Sequence, residues 1–383
     1  MKIVIAPDSF KESMTAKEAC LAIEKGFKSV LKNVEVIKVS MADGGEGTMN
    51  ALVESSNGII YKTLVTGPLG NKIVSEFGIL GDRKTAIIEM AKASGLELVP
   101  RKQRNPMITT TFGTGELIKA ALDRGVSTVI IGIGGSATND GGSGMVQALG
   151  GKLLDENRKE ISFGGGELEK IRKIDLSNLD KRISTTNFIV ACDVKNPLTG
   201  DEGAANIFGR QKGATEEMIV LLDKNLKHFA KIIKEELGID IERIEGSGAA
   251  GGLGAGLMAF LSAKLKRGID IIIKYSELEE KIKNADLIIT GEGSIDGQTM
   301  FGKAPYGVAQ VAKKYGIPII ALVGSINDDR AALYEHGFDA VFSIICKLDT
   351  LENTLKLGKN NLEKTSSDIA RFYLSIKNTL KKL

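Results

Sequence analysis

The stretch STVIIGIGGSATNDGGSG, residues 127–144, decides how this chain is read. STVII is rich in β-branched residues and unbroken by charge, which suits a strand buried on both faces of a parallel sheet. The thirteen positions that follow hold six glycines and Asp140. Glycine loses more backbone freedom on folding than any other residue, so such a cluster is costly unless the backbone must come close to something. At the carboxyl end of a strand in an open α/β sheet that something is a ligand, and a phosphate or carboxylate suits a loop of N–H groups.

Outward from this stretch the pattern repeats. KIVIAPD, VEVIKVSMA, TAIIEMA, FIVACDV, ADLIITGEG, PIIALVG and AVFSIIC read as further strands. SMTAKEACLAIEKGFKSV, TGELIKAALDRG, ATEEMIVLLDKNLKHFAKIIKEELG and the stretch from Leu351 onward carry helical periodicity. Strands alternating with helices predict an α/β fold with a parallel sheet. TGPLGNKIVSEFGIL departs from this, because two extended pieces around PLGN predict an antiparallel hairpin and hence a mixed sheet. Compact βα units stand at both ends, with a glycine-rich region between them. The expected organisation is one α/β domain from residues 1–66 and 275–383, interrupted by an inserted α/β domain at 67–274.

The 383 residues, 43% hydrophobic and 26% charged, are enough for two domains of ordinary size. Lys and Arg number 51 against 48 Asp and Glu, spread along the chain, which argues against nucleic acid as a partner. Cys20, Cys192 and Cys346 form no CxxC pair, so neither a disulfide framework nor a zinc site is indicated. The apolar run in MKIVIAPDSF is too short for a signal peptide core, and no run reaches the length of a membrane span. A cytoplasmic protein without a membrane partner is expected. Two histidines, His228 and His336, are too few for a metal cluster or a Ser/His/Asp triad. Any chemistry falls to carboxylates and lysines.

Those residues recur in loops at strand ends: APDSFK (6–11), ADGGEGT (42–48), ACDVKNPLTG (191–200), GSGAAGGLGAG (246–256) and TGEGSIDGQTMFGK (290–303). The last but one opens a nearly apolar helix, so close packing explains its glycines as well as ligand contact does. Gly132-x-Gly134-x-x-Ala137 matches a dinucleotide fingerprint, with Asp155 where a ribose-binding acid would sit. An NAD-dependent dehydrogenase is therefore a second reading, opposed by Asn139-Asp140-Gly141-Gly142, which break the helix that motif needs. A non-catalytic sugar-acid sensor on the same fold is a third. Gly297 to Lys303 fits GxxxxGK but continues with Ala304, losing the magnesium-binding hydroxyl of a true P-loop. Lys303 can still pair with phosphate as a point charge.

Taken together and in order, APDSFKESMTA, MADGGEGT, GIGGSATNDGGSGM, ACDVKNPLTG, GAAGGLGAG and TGEGSIDGQTMFGKAPYGVA resemble the blocks of the type I glycerate kinases. Members of that bacterial family phosphorylate R-glycerate with ATP. The resemblance implies a Rossmann-like or flavodoxin-like parallel-sheet domain interrupted by a second α/β domain, with phosphorylation at the 2-position. Glu12 stands where glycine is common in the family, and Ser294 where arginine is common. Should that arginine contact phosphate, Arg210 or Lys212 is the replacement in this chain.

Phosphoryl transfer needs a metal, cationic or backbone clamps, and a base near the acceptor hydroxyl. Glu292 and Asp296 are expected to hold Mg2+. Asp193, at the end of FIVACDV, is the first choice of base, with Asp43 and Asp8 as rivals. Lys11 and Ser9 would bind the glycerate carboxylate or a phosphate, Lys11 within the catalytic set. Ser136, Thr138 and the N–H groups of Gly134 and Gly135 would form an anion nest for one or the other.

Overall fold

A computed structural model describes residues 1–295, 303–326 and 330–380. Its strands are, in chain order, β1 (Lys2–Ile5), β2 (Glu35–Lys38), β3 (Ile59–Thr66), β4 (Lys72–Ile79), β5 (Thr85–Glu89), β6 (Thr128–Gly132) and β7 (Lys152–Leu154). They continue with β8 (Lys173–Asp175), β9 (Asn187–Ala191), β10 (Lys264–Lys266), β11 (Leu287–Ile295), β12 (Ile319–Ile326) and β13 (Ala340–Ser343). The chain forms two compact units. The first contains Met1–Asp43, Asn50–Ser56 and Ile269–Leu383, and the second Gly44–Met49 and Asn57–Gly268.

In the first unit five strands pair in parallel in the order β13-β12-β11-β1-β2. The apolar runs of β1 and β11 lie in its centre, where Ile3, Ile5, Ile289 and Leu322 are buried together with Phe27. Helix Ala16–Val30 covers this core with one apolar face. Thr15 starts it: its hydroxyl accepts the Glu18 N–H at 3.2 Å, and the Glu18 carboxylate accepts the Thr15 N–H at 2.9 Å. Such reciprocal capping satisfies two donors that a helix start leaves over. The long helix Leu351–Leu380 packs along it, with Ser29 and Ser367 hydroxyls 3.2 Å apart and Lys25 paired to Glu363 at 2.9 Å.

The second unit holds a six-stranded sheet ordered β10-β9-β6-β5-β4-β3. Its β10, β9, β6 and β5 pair in parallel, while β4 pairs antiparallel with both β5 and β3, so the sheet is mixed, as the hairpin pattern predicts. The turn of that hairpin closes with the Gly67 N–H on the Asn71 carbonyl at 2.6 Å. The sequence reading carried the first domain's opening segment through residue 66. Strand β3 instead belongs to the second unit, since its ladder partner is β4 across this short turn. At the other boundary the first unit resumes at Ile269 rather than at residue 275. The core gathers Ile88, Ile131 and Val190 from the sheet against Leu253 and Leu257 of helix Ala249–Leu261. No described helix is long and apolar enough to cross a membrane.

Glu12 lies in the tight turn that closes between the Phe10 N–H and the Met14 carbonyl at 2.9 Å, and its φ is +62°. A side chain in this left-handed region costs about 1–2 kcal/mol, against about 0.4–1 kcal/mol for the greater unfolded-state freedom of glycine. Glu12→Gly is therefore expected to raise stability by roughly 0.5–1 kcal/mol, measured by urea unfolding. A loss of stability would show that Glu12 contributes a contact that outweighs its strain.

Candidate active site

In the first unit the chain leaves β1 for β2 on one side and, after returning at β11, proceeds to β12 and β13 on the other. The crevice between such oppositely directed halves, at the carboxyl ends of the strands, is where open α/β sheets bind ligands. A pocket of about 290 Å³ lies there, lined among others by Asp8, Ser9, Lys11, Asp43, Glu292 and Lys303. Six residues singled out from three separate stretches of sequence thus meet. The backbone after β1 stays bonded to β11, Ala6 N–H to the Ile289 carbonyl at 2.7 Å and Asp8 N–H to that of Gly291 at 2.8 Å. This register carries Asp8 to the level of Glu292.

Burial pushes the Asp8 carboxyl up to about 7, and the negative charges of Asp43 and Glu292 push the same way. Two further carboxylates around the pocket thus disfavour a charge on Asp8. Glu292 is buried, with the Lys303 ammonium 3.8 Å away. Lys303 stands immediately before helix Ala304–Tyr315. Ser294, also on the pocket wall, accepts a hydrogen bond from the Ser325 hydroxyl at 3.0 Å. Hard carboxylate oxygens fit magnesium, which takes one or two of them and completes its shell with water and phosphate oxygens. Asp296 lies outside the described residues.

The second unit contains the opening glycine loop. Gly134 and Gly135 are exposed, Gly135 with φ +73°, whereas Ser136 to Asp140 are buried. Beneath the loop lies Lys212, whose ammonium donates to the Ser136 hydroxyl at 2.8 Å and the Thr138 carbonyl at 2.7 Å. Burial pushes this amine down to about 7, partly offset by the Asp140 charge. Asp140 itself spends its carboxylate on the N–H groups of Thr111 (2.8 Å), Gly142 (3.2 Å) and Gly144 (3.3 Å) and on the Thr111 hydroxyl (2.8 Å). It ties the loop to the segment at Thr111 and closes the loop on itself at Gly142 and Gly144. The Thr138 side chain is fully buried on the inner side of the loop.

Of the two cations proposed to replace the missing arginine, Lys212 reaches this loop. Arg210 instead forms a bidentate pair with Glu216, at 2.8 and 2.7 Å, on the surface. The glycines of GSGAAGGLGAG serve packing: a Cβ on Gly251 would strike the Thr138 carbonyl, and one on Gly252 would come within 2.9 Å of the Gly141 Cα. Asp193 follows β9, is exposed, and accepts the Gly268 N–H at 3.0 Å. A buried acid that the sequence reading passed over is Glu89, at the end of β5. It accepts the Met49 N–H at 2.8 Å, and burial raises its pKa. The glutamate closing the buried run TAIIE was its only signal.

The dinucleotide alternative does not hold. The helix after β6 begins only at Ser143, so no helix N-terminus directly follows the glycine fingerprint. Asp155 caps a surface turn, accepting the N–H groups of Asn157 and Lys159 at 2.8 Å. It follows β7, which pairs with β8 in a separate small sheet and is not a neighbour of β6.

A model of the glycerate kinase family matches residues 3–374. The chain is 54% identical to the Glycerate 2-kinase of Escherichia coli K12 and 55% identical to a Glycerate kinase of Bacillus subtilis 168, in each case over 97% of both chains. A crystal structure from Salmonella typhimurium LT2, provisionally assigned as glycerate kinase 2, superposes with a TM-score of 0.92 at 51% identity and covers 99% of both chains.

The burial of Lys212 sets a pH dependence. With a folded pKa near 7 and an ordinary value of 10.5, the folded state binds fewer protons than the unfolded state between those limits. The destabilisation from burying the ammonium is therefore fully present below about pH 7 and relieved as pH rises toward 10. Relative to Lys212→Met, the native protein is expected to gain up to ~1.4 kcal/mol of unfolding free energy per pH unit across that window. Parallel urea-unfolding curves for the two proteins from pH 6.5 to 9 would show that Lys212 titrates like an exposed lysine.

Proposed function

The chain belongs to the glycerate kinase family, and on that premise we propose that it transfers the terminal phosphoryl group of ATP to the 2-hydroxyl of R-glycerate. The observation that carries this reading is the meeting of Asp8, Ser9, Lys11, Asp43, Glu292 and Lys303 in one pocket at the sheet's crossover. The 2-position follows the name of the Escherichia coli relative. The hydroxyl oxygen attacks the terminal phosphorus, the bond to the bridging oxygen breaks to release ADP, and the hydroxyl proton passes to a base.

Positioning and charge neutralisation supply most of the acceleration in such a reaction. Lys11, Lys303 and Ser9 are assigned to phosphate oxygens. Mg2+ would be held by Glu292 with Asp296, beside Asp8 and Asp43, and would neutralise charge on the phosphates. The exposed N–H groups of Gly134 and Gly135 with Ser136 are assigned to the glycerate carboxylate, Lys212 supplying positive charge from behind. Asp193, one oxygen fixed by the Gly268 N–H, is assigned as the base. Free thiols at Cys20, Cys192 and Cys346 suit a reducing cytoplasm.

Two measurements test this reading. With ATP, magnesium and R-glycerate, phosphorus NMR should show a phosphate ester split into a doublet by the single proton at carbon 2. A triplet would place the phosphoryl group at carbon 3, and no ester at all would refute the kinase. Asp193→Asn should keep its circular dichroism and ATP affinity while kcat falls about 10²–10⁴-fold, the usual worth of a positioned base. A kcat within about threefold of the parent, far short of that loss, would assign the proton to Asp43 or Asp8.

A further inference from the structure

The pocket of the first unit follows the carboxyl ends of its sheet, and its lining changes character from strand to strand. Over β2, β1 and β11 it is charged, with Asp43, Asp8, Lys11 and Glu292. Over β12 it meets Gly324, and past β13 it meets Ile344 and Ile345. Helix Leu351–Leu380 completes the wall with Thr354, Leu355, Gly358 and Asn361. Thr354, Gly358 and Asn361 are spaced four and three apart and so share one helix face. Neighbouring strands lie about 4.8 Å apart, so the apolar end sits roughly 10 Å from β11, two strands away.

We propose that this apolar end seats the purine base of the nucleotide, with Leu355 and Ile345 against the ring faces and Asn361 at the ring edge. The assignment rests on the nucleotide reading of the charged end. Glycerate carries oxygen on each of its three carbons and has no surface that calls for an isoleucine and leucine wall. A purine has two apolar faces and an edge of donors and acceptors, which an asparagine amide can match with both of its groups. Ile345 is 41% exposed, a large aliphatic side chain left open beside a charged pocket.

The helix is held where this role requires it. The Ser13 hydroxyl donates to the Leu355 carbonyl at 2.7 Å, and a Cβ on Gly358 would collide with that same hydroxyl. The loop that carries Lys11 at the charged end therefore docks the helix that forms the apolar end. Base and phosphates would be read by two faces of one docked assembly.

Calorimetric titration of the full chain with ADP and with inorganic tripolyphosphate, both with magnesium, separates base from phosphate recognition. The native protein should bind ADP more tightly than its phosphate content explains. Leu355→Gln should weaken ADP at least about tenfold, the scale of a lost apolar contact, and leave tripolyphosphate within about twofold. Asn361→Leu should reduce discrimination between ADP and GDP. If Leu355→Gln loses its circular dichroism, Ile345→Gln, at a more exposed position, makes the same comparison. Equal weakening of both ligands, or of neither, overturns the base seat. So does equal affinity of the native protein for ADP and tripolyphosphate. In those outcomes phosphoglycerate formation would continue, whereas failure of the kinase reading would appear as no phosphoglycerate despite selective ADP binding.

Discussion

The second unit depends on the contact of two glycine-rich backbones, residues 138–142 against 251–256. The Thr138 carbonyl lies where a side chain on Gly251 would collide with it, and it also accepts the buried Lys212 ammonium. Carbonyl, amine and glycine are mutually dependent. Were Gly251 any other residue, the helix Ala249–Leu261 would stand off and the loop would lose its backing. Were Lys212 absent, a carbonyl and the Ser136 hydroxyl would lose a charged donor in a buried place. Asp140 then fixes the remaining freedom of the loop by accepting three N–H groups. The exposed pair Gly134–Gly135 is left as the open face of an otherwise anchored element.

The first unit solves a different problem with the same material. Its parallel register delivers Asp8 and Glu292 to one level, and Asp43 joins them from the next strand. The raised pKa of Asp8, set first by its burial and then by the charges of Asp43 and Glu292, is a cost that a stable fold alone has no reason to bear. A carboxyl perturbed in this way, in a concave place at a crossover point, marks a candidate functional site. The strained Glu12 belongs to the same loop. Its left-handed backbone keeps the turn between Phe10 and Met14 closed and Lys11 on the pocket wall.

Much of this was legible beforehand because it is local. A buried run of β-branched residues followed by glycines can do little other than end a strand and open a loop. All eight apolar runs read as strands coincide with strands, and the hairpin around PLGN announced the mixed sheet. Six of the residues chosen for their chemistry line one pocket, since ligand sites in this architecture form at strand ends, which periodicity locates. The boundary at residue 66 was misplaced because it cut the PLGN hairpin, whose two arms, β3 and β4, pair in one sheet.

What the sequence determined by itself, then, was the class of the fold, the positions of the loops and the supply of carboxylates and lysines. Each follows from side-chain periodicity and the conformational limits of glycine over a few neighbouring residues. Tertiary structure alone decided which of two nearby cations serves the glycine loop. Lys212 reaches Ser136 and Thr138 across more than seventy residues, while Arg210, two positions earlier, turns outward to Glu216. It also decided that Gly251 and Gly252 pack against the loop at 138–141, and that Ile344, Ile345 and Leu355 end up beside a charged pocket. Contacts between distant segments depend on how whole elements dock, and no local pattern of residues encodes that docking.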